Sequence, residues 1–304
     1  MASLFKNIKF TTKAIIAIIV TLISAIYGVL CSVFFTIIGK KHLAQWSTAR
    51  FYYHFFGKTF GIKIKIDRPE ILEKLPAILI SNHQSELDVY LLGRLFPQSC
   101  VVTAKKQLKY VPFLGWFMSL SGTFFIDRSS RENTRRTLDN ALQELKTKKG
   151  GLYMFAEGTR SYATKPTLLD FKKGAFHLAV QAGIPIIPIC ISNTSSLYSP
   201  KLKNFNTGTI NVKVLDPIET SNLTTEDVSK LTEDTRNKME KVIMELGMSP
   251  LDGETSSFPE PSTPSIVPAS EATSSTGHSS PSVVVEEENV GESTSLLSGS
   301  PNKN

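Results

Sequence analysis

The chain has 304 residues, of which 41% are apolar, and it carries a formal net charge of +7. This length allows one large or two small domains, and the uneven spread of charge argues against a uniform soluble globule. The three cysteines, Cys31, Cys100 and Cys190, lie far apart without CxxC spacing, which argues against a zinc site and provides no disulfide framework. The body of the protein is therefore expected in a reducing compartment.

The first predicted element is a long apolar helix. Residues 14–38 contain no charged side chain, and as a helix they would reach about 37 Å, enough to cross a hydrocarbon core of about 30 Å. A cleaved signal peptide would have a shorter apolar run and a cleavage site. Lysines flank the run on both sides, so charge does not distinguish a span from a hairpin.

A second predicted helix covers residues 43–60, where aromatic side chains alternate with basic ones. This mixture is typical of the lipid headgroup layer, although an ordinary core helix rich in aromatic residues would have the same composition. Residues 1–60 are therefore predicted to form a membrane anchor.

Residues 61–250 are predicted to form the main folded domain. Helices are predicted at 134–148, 171–182 and 225–246, because each apolar pattern ends at or near a glycine. Strands that alternate with helices predict an α/β domain with a mostly parallel central sheet flanked by helices. The predicted strands are short apolar runs at residues 62–67, 77–81, 100–103, 123–126, 152–155, 186–191 and 210–215.

The last segment, residues 251–304, is rich in Ser, Thr, Pro and Glu. From residue 252 onward it has eight acidic residues against one basic residue, and such a composition predicts disorder. The rest of the chain then carries 33 basic and 19 acidic residues. No nucleic-acid motif accompanies this charge, so an anionic membrane surface and anionic substrates fit it better.

The segment NHQSELD, residues 82–88, follows the predicted strand 77–81 and places His83 and Asp88 five residues apart. An imidazole oriented by a carboxylate is suited to accept a proton from a hydroxyl group. A helix that opens at residues 86–88 would turn the carboxylate back toward the ring. A lone histidine after a strand can also be an ordinary turn residue.

The segment FAEGTRS, residues 155–161, follows the predicted strand 152–155. Gly158 permits close approach of the backbone, and the guanidinium of Arg160 can hold a phosphate by two parallel hydrogen bonds. Taken alone, the segment could be a surface turn. Because each motif follows a strand, a base and an anion clamp are expected to form one site.

Two more segments complete a recognisable order: GTFFIDRSS at residues 122–130 and IPIIPI at residues 184–189. With them, the chain resembles the glycerolipid acyltransferases, and most closely the fungal 1-acyl-sn-glycerol-3-phosphate (lysophosphatidate) acyltransferases. The resemblance covers roughly residues 40–250. One departure is Ala156, where the family usually has proline, and this puts the local rigidity of the clamp in question.

The resemblance implies that His83 and Asp88 form the family's HxxxxD pair and that the acceptor alcohol attacks acyl-CoA directly. A covalent acyl-serine route would need Ser81 or Ser85 instead, and Ser85 is better suited to orient the loop. Asp127 and Arg128 could also be an ordinary surface pair. The resemblance implies that the glycerol phosphate is held by Glu157, Gly158, Thr159 and Arg160, assisted by Gly122 and Arg128.

Other candidate residues are more open. The segment 110–120, which contains Trp116, is apolar enough to be core but could also line an acyl groove. Pro185 and Pro188 lack the amide donor of a regular ladder, which favours a shaped wall near the acyl chain over a plain central strand. Four lysines that are exposed by default could contact CoA or lipid phosphates: Lys105, Lys106, Lys172 and Lys173.

The sequence therefore predicts a membrane-anchored acyltransferase that moves a fatty acyl group from acyl-CoA, its co-substrate, to the sn-2 hydroxyl of lysophosphatidate. No metal or cofactor is expected, membrane lipids are expected partners, and nucleic acid is not. We expect it in the membrane of the endoplasmic reticulum, with lipid droplets as the alternative, and with the catalytic domain facing the cytosol. The open alternative is the same chemistry on another lysophospholipid head group. A hydrolase would need a nucleophile elbow, which the sequence lacks.

Overall fold

The computed structural model describes residues 2–127, 132, 137, 139–143, 147 and 149–254. The predicted helix at 134–148 is described in part, and its described residues are helical. The tail beyond residue 254 lies outside the described residues. The helices are α1 (Ala2–Ile37), α2 (Leu43–Phe60), α3 (Asp88–Leu95), α4 (Leu114–Ser121), α5 (Gly174–Ala182) and α6 (Val228–Leu246).

The central sheet has seven strands in the order β1-β9-β6-β2-β5-β3-β4. Each neighbouring pair is parallel except β6 and β9, so the predicted mostly parallel sheet is confirmed. A separate hairpin joins β7 and β8. The strands are β1 (Ile62–Asp67), β2 (Ala77–Ser81), β3 (Cys100–Lys105), β4 (Phe124–Ile126), β5 (Gly151–Phe155), β6 (Ile186–Ile191), β7 (Tyr198–Ser199), β8 (Asn204–Phe205) and β9 (Gly208–Val214).

Helices cover both faces of this sheet. Successive side chains of a strand point to opposite faces, and in β2 Leu79 belongs to one core cluster whereas Ile78 and Ile80 belong to the other. The first core includes apolar residues of α2 and α3, and the second includes apolar residues of α5 and α6. Because both faces of the strands are buried, the strands are continuous apolar runs in the sequence.

Helix α2 packs one face into the core of the protein, and the position of its other aromatic residues in the headgroup layer stays a prediction. Tyr52, Phe56 and Phe60 are buried in the first core. Arg50, a basic residue of this helix, donates to the carbonyl oxygens of Gly93, Arg94 and Phe96 at the end of α3. The buried aromatic residues of α2 therefore pack within the protein, and Arg50 caps the end of α3.

Helix α1 is longer than the predicted apolar run. Among the described residues, one helix, Ser3–Ile37, is long and apolar enough to cross a membrane. One flank of α1 contacts the rest of the protein: Lys13 Nζ donates to Phe205 O at 2.9 Å, Thr21 Oγ1 lies 3.3 Å from the Tyr52 hydroxyl, and the Tyr27 and Phe51 rings stack. The opposite flank exposes mostly isoleucine, leucine and phenylalanine.

Strand β6 is an interior strand, between β9 and β2, whereas its prolines favoured a shaped wall, and a contact of Pro185 or Pro188 with an acyl chain stays a prediction. The Ile186 amide donates to Ile218 O, beyond the end of β9. Backbone amides two residues apart in a strand point to the same neighbouring strand, so the nitrogen of Pro188 also faces the β9 side. On that side β9 has ended at Val214, and the Leu215 amide donates to Pro188 O. The missing amide hydrogen of Pro188 therefore falls where the regular pairing with β9 stops. Pro185 precedes the strand, at the edge of the sheet opposite His83.

Candidate active site

The loop after β2 holds the carboxylate of Asp88 against the ring of His83. Asp88 Oδ2 lies 2.6 Å from His83 Nδ1 and also accepts from the backbone amides of Gln84 at 2.6 Å and Ser85 at 3.1 Å. Asp88 is the first residue of α3 and only 1% exposed, so the helix start places its carboxylate. Because a carboxylate only accepts, Nδ1 of His83 carries the proton and Nε2 is left free to accept one.

The His83 ring is also held from its face. It stacks on Phe155 with ring centroids 3.9 Å apart and an interplanar angle of 15°. Phe155 ends β5 and pairs in register with Ser81 at the end of β2, so the contact follows from strand pairing. The His83 side chain remains 17% exposed, which leaves an edge of the ring accessible to a substrate.

The two sequence motifs meet at this edge of the sheet, where the parallel strands β2 and β5 both end. The Ser161 amide donates to His83 O at 2.9 Å, and the Tyr162 amide donates to Gln84 O at 3.0 Å. The segment that contains Arg160 is therefore laid alongside the loop that contains His83.

Glu157 links the two motifs from below the surface. Its Oε1 accepts from the His83 amide at 2.7 Å, and its Oε2 accepts from the Leu169 amide at 2.9 Å. The residue is 1% exposed, and burial raises the pKa of its carboxyl to about 7. Because both oxygens are bound to backbone amides, this geometry favours a positioning role for Glu157 over the predicted contact with the substrate phosphate.

Arg160 lies at the surface, and its side chain is 39% exposed. Its Nη1 donates to Glu86 Oε1 at 2.9 Å and to the Tyr162 hydroxyl at 3.2 Å. Gly158 turns the chain ahead of it with a positive φ of 69°, and an added Cβ there would lie 3.0 Å from Cγ of Lys172. Thr159 is exposed beside them. This predicted group is thus brought together next to the His83 loop.

Other predicted site residues lie elsewhere. Gly122 ends α4, before β4, and β5 and β3 separate β4 from β2, a distance of about 14 Å at a strand spacing of about 4.8 Å. The structure therefore does not bring Gly122 to His83. Arg128 lies outside the described residues. Trp116 is 54% exposed on α4, and its contact with an acyl chain stays a prediction.

The four candidate lysines are dispersed. Lys105 is exposed at the end of β3, and Lys106 pairs with Asp127 at 2.8 Å. Lys173 donates to Ser229 at the start of α6, whereas Lys172 lies beside Gly158. Lys172 is therefore packed against the segment that contains Arg160. Within the described residues, no group of three or more His, Cys, Asp or Glu side chains could hold a metal ion.

Sequence reasoning missed two amides that fix the loop. Asn82 pairs with both the amide and the carbonyl of Ile191, at 3.0 Å each. Gln84 donates to Ser192 O and accepts from the Thr194 amide, each at 2.9 Å. Their signal was the pair of amide side chains that flank His83. What these amides bind could not be predicted, because their partners lie at the end of β6 and just after it, and become neighbours only when β2 pairs with β6.

The serines proposed for a covalent route are not placed as nucleophiles. Ser81 is fully buried and its hydroxyl donates to Asn82 O, and Ser85 is 4% exposed with its Oγ accepting from the Leu87 amide. Ser85 thus orients the loop, as its position in the sequence suggested.

A buried carboxylate orients a histidine beside an exposed arginine at the carboxyl edge of the parallel strands, and these groups are suited to acid–base chemistry on an anionic substrate. Comparisons with known proteins show the family and the fold. The family model Acyltransferase matches residues 63–192. The crystal structure of the 1-acyl-sn-glycerophosphate (LPA) acyltransferase PlsC from Thermotoga maritima has a TM-score of 0.52 and 22% identity, and the match covers 74% of this chain and 96% of that chain.

Two relatives define the family more narrowly. The chain is 51% identical to the 1-acyl-sn-glycerol-3-phosphate acyltransferase of Saccharomyces cerevisiae, over 77% of each chain. It is 36% identical to the 1-acyl-sn-glycerol-3-phosphate acyltransferase beta of Homo sapiens, over 70% of this chain and 76% of that one. The chain belongs to the 1-acyl-sn-glycerol-3-phosphate acyltransferase family, and the predicted resemblance is confirmed.

Proposed function

We propose that the protein transfers a fatty acyl group from acyl-CoA to the sn-2 hydroxyl of 1-acyl-sn-glycerol-3-phosphate and thereby makes phosphatidate. Membership of the family supports the reaction class. The observation that carries the mechanism is the 2.6 Å contact between His83 Nδ1 and Asp88 Oδ2, in a loop that runs alongside the Arg160 segment.

In this proposal His83 is the general base. Its Nε2 takes the proton of the acceptor hydroxyl as the oxygen attacks the thioester carbonyl carbon. The carbon–sulfur bond then breaks, and the leaving thiolate takes the proton back from the imidazolium, so that free CoA is released. Asp88 holds the tautomer and stabilises the imidazolium. Phe155 restricts the ring to the orientation in which Nε2 faces the substrate.

Arg160 is the proposed binding group for the acceptor phosphate. A guanidinium presents parallel donors that match two phosphate oxygens, which a lysine cannot do. The segment is tied to His83 by the Ser161 amide and by Glu157, so a phosphate held there would place the rest of the acceptor near the base. The same geometry would accept another lysophospholipid, because it reads the phosphate and not the group attached to it.

We also propose that α1 anchors the protein to a membrane. The outward flank of α1 exposes apolar side chains, while contacts from Lys13 to Cys31 attach the other flank to the protein. A helix attached along its length suits a position within one leaflet better than a perpendicular span. The excess of basic residues before the tail suits an anionic cytosolic surface, in the endoplasmic reticulum or on lipid droplets.

The direct test uses the full chain purified in detergent, with oleoyl-CoA as the donor and a panel of acceptors. We expect CoA release and phosphatidate formation in equal amounts with 1-oleoyl-sn-glycerol 3-phosphate, and a poor rate with 1-oleoylglycerol, which lacks the phosphate. Higher kcat/KM with a lysophosphodiester, such as 1-oleoyl-sn-glycero-3-phosphocholine, would instead favour the alternative head group.

A further inference from the structure

Glu86 lies in the loop after β2, and the proposed reaction does not use it. Its Oε1 accepts from Arg160 Nη1 at 2.9 Å and from the Tyr162 hydroxyl at 2.6 Å. Tyr198 lines the same pocket as Glu86 and Tyr162, and burial and then the charge of Glu86 raise the pKa of its hydroxyl to about 12. The guanidinium proposed to hold the substrate phosphate is therefore already paired with a carboxylate.

A ligand could replace Glu86 as the partner of Arg160, because their ion pair is exposed to solvent. The side chains of Arg160 and Glu86 are 39% and 45% exposed, and exposed ion pairs contribute little to stability. Within the described part of the chain, Arg160 donates to protein groups through Nη1 only, which leaves Nε and Nη2 for a ligand. A phosphate monoester offers more negative charge than Glu86 and two oxygens in the geometry of the guanidinium.

Two anions beside one guanidinium repel each other, so a bound phosphate and the Glu86 carboxylate compete. Room for the displaced side chain exists. A pocket of about 390 Å³ adjoins the loop and is lined by Glu86, Tyr162, Tyr198 and Lys201, among other residues. Lys201 gives this pocket a positive charge of its own.

Resting on the proposed function, we propose that Glu86 is an exchangeable counter-ion of Arg160 that limits the affinity of the site for phosphate-bearing acceptors. In the free protein Glu86 holds the guanidinium in place beside the His83 loop. The acceptor phosphate takes Arg160 from it, and the Glu86 carboxylate turns toward the pocket. Each binding event then includes the cost of opening this pair.

The test is Glu86→Gln, which keeps the shape of the side chain and an acceptor oxygen for Tyr162 but removes the charge. We expect the KM for 1-oleoyl-sn-glycerol 3-phosphate to fall about two- to fivefold, as for the loss of an exposed pair. The change should appear in this KM and not in kcat or in the KM for oleoyl-CoA. In an Arg160→Lys background the same substitution should have a clearly smaller effect, because the two residues act as a pair.

Asp216→Asn is the matched control. Asp216 pairs with Arg68, and their side chains are 67% and 41% exposed. They follow β9 and β1, whose carboxyl ends lie at the sheet edge opposite His83. This variant changes the net charge by the same unit and should leave the acceptor KM unchanged. An equal fall of the acceptor KM in both variants would overturn the proposal, because net charge alone would explain it. A rise of the acceptor KM with Glu86→Gln would also overturn it and would make Glu86 a positioning residue.

A binding measurement separates this proposal from the proposed function. sn-Glycerol 3-phosphate should raise the thermal unfolding temperature of Glu86→Gln more than that of the wild type, whereas glycerol should raise both equally. If the wild type failed to acylate lysophosphatidate but the difference in unfolding temperature persisted, the proposed function would be wrong and the proposed role of Glu86 as a counter-ion would be supported. Equal responses to sn-glycerol 3-phosphate would overturn the counter-ion.

Discussion

At the scale of single residues, Arg160 gives a direct test of phosphate recognition. Arg160→Lys keeps the charge but loses the bidentate geometry, so the KM for lysophosphatidate should rise more than the KM for acyl-CoA. A charge-assisted hydrogen bond of about 1.5 to 3 kcal/mol corresponds to about 10-fold to 150-fold in binding. Steady-state kinetics with each substrate varied in turn would measure this.

The control acceptor for Arg160→Lys is 1-oleoylglycerol, whose low residual rate should change little because it has no phosphate to lose. An equal loss with both acceptors would show that Arg160 supports the structure of the loop and does not read the phosphate.

Glu157 predicts a pH dependence of stability. Burial raises the pKa of its carboxyl from 4.5 to about 7, so the folded protein keeps this proton to a higher pH than the unfolded chain does. The stability that Glu157 contributes is therefore present below about pH 4.5 and is lost as the pH rises to about 7. The Glu157→Gln protein has no carboxyl to titrate at this position, so it should not show this loss of stability.

Unfolding temperatures of the two proteins between pH 5 and pH 8 would measure the effect. The wild type should lose stability relative to Glu157→Gln as the pH rises, whatever the constant offset from the altered hydrogen bonds. A difference between the two proteins that did not change with pH would contradict the raised pKa.

At the scale of elements, the close packing of α2 on α3 depends on Gly93. A Cβ at this position would lie 2.6 Å from Ala49 O and 2.7 Å from Tyr53 Cβ, and neither group can move without shifting the helix backbone. Gly93→Ala should therefore destabilise the protein by about 1 to 3 kcal/mol, as expected for overpacking.

Denaturant unfolding in detergent would measure the loss for Gly93→Ala. The matched control is Val89→Ala, at a 47% exposed position of the same helix, which should change stability much less. Similar values for both variants would mean that α2 and α3 adjust to each other easily.

The elements also show what a sequence can predict. Strand β6 runs over the predicted residues 186–191, because a strand buried on both faces is an uninterrupted apolar run. The burial of α2 was not predictable in the same way, because its aromatic residues suit lipid and protein equally and their partners lie far along the chain, on α1, α3 and β8.

In the candidate site, too, one contact could be predicted from the sequence and another could not. His83 and Asp88 are five residues apart, so their local geometry could be predicted from a helix that starts at residue 88. The contact of Glu157 with the His83 amide joins residues 74 apart, and it exists only because β2 and β5 are neighbours. The role of Glu157 therefore needed the folded structure.

At the scale of the whole molecule, glycosylation reports on which side of the membrane the catalytic domain lies. Asn193, in one of two sequons, is 3% exposed and donates to the carbonyl oxygens of Ala163 and Lys165, so a glycan there would break these contacts and Asn193 is the poorer reporter. Asn222 is exposed in the other sequon. If the domain faces the cytosol, Asn222 should remain unmodified in the native host.

A version with a cleavable secretory signal peptide provides the control, because it should acquire an endoglycosidase-sensitive glycan at Asn222. The same glycan on the natural chain would place the catalytic domain in the lumen.

The central claim is that His83 is the base for acyl transfer, and single-turnover measurement of CoA release tests it most directly. His83→Ala should lower the rate by about 10² to 10⁴ while the unfolding temperature stays close to that of the wild type. His177→Ala, which removes an exposed histidine on α5, should leave the rate unchanged. A His83→Ala protein that released CoA and formed phosphatidate at most of the wild-type rate would contradict the account.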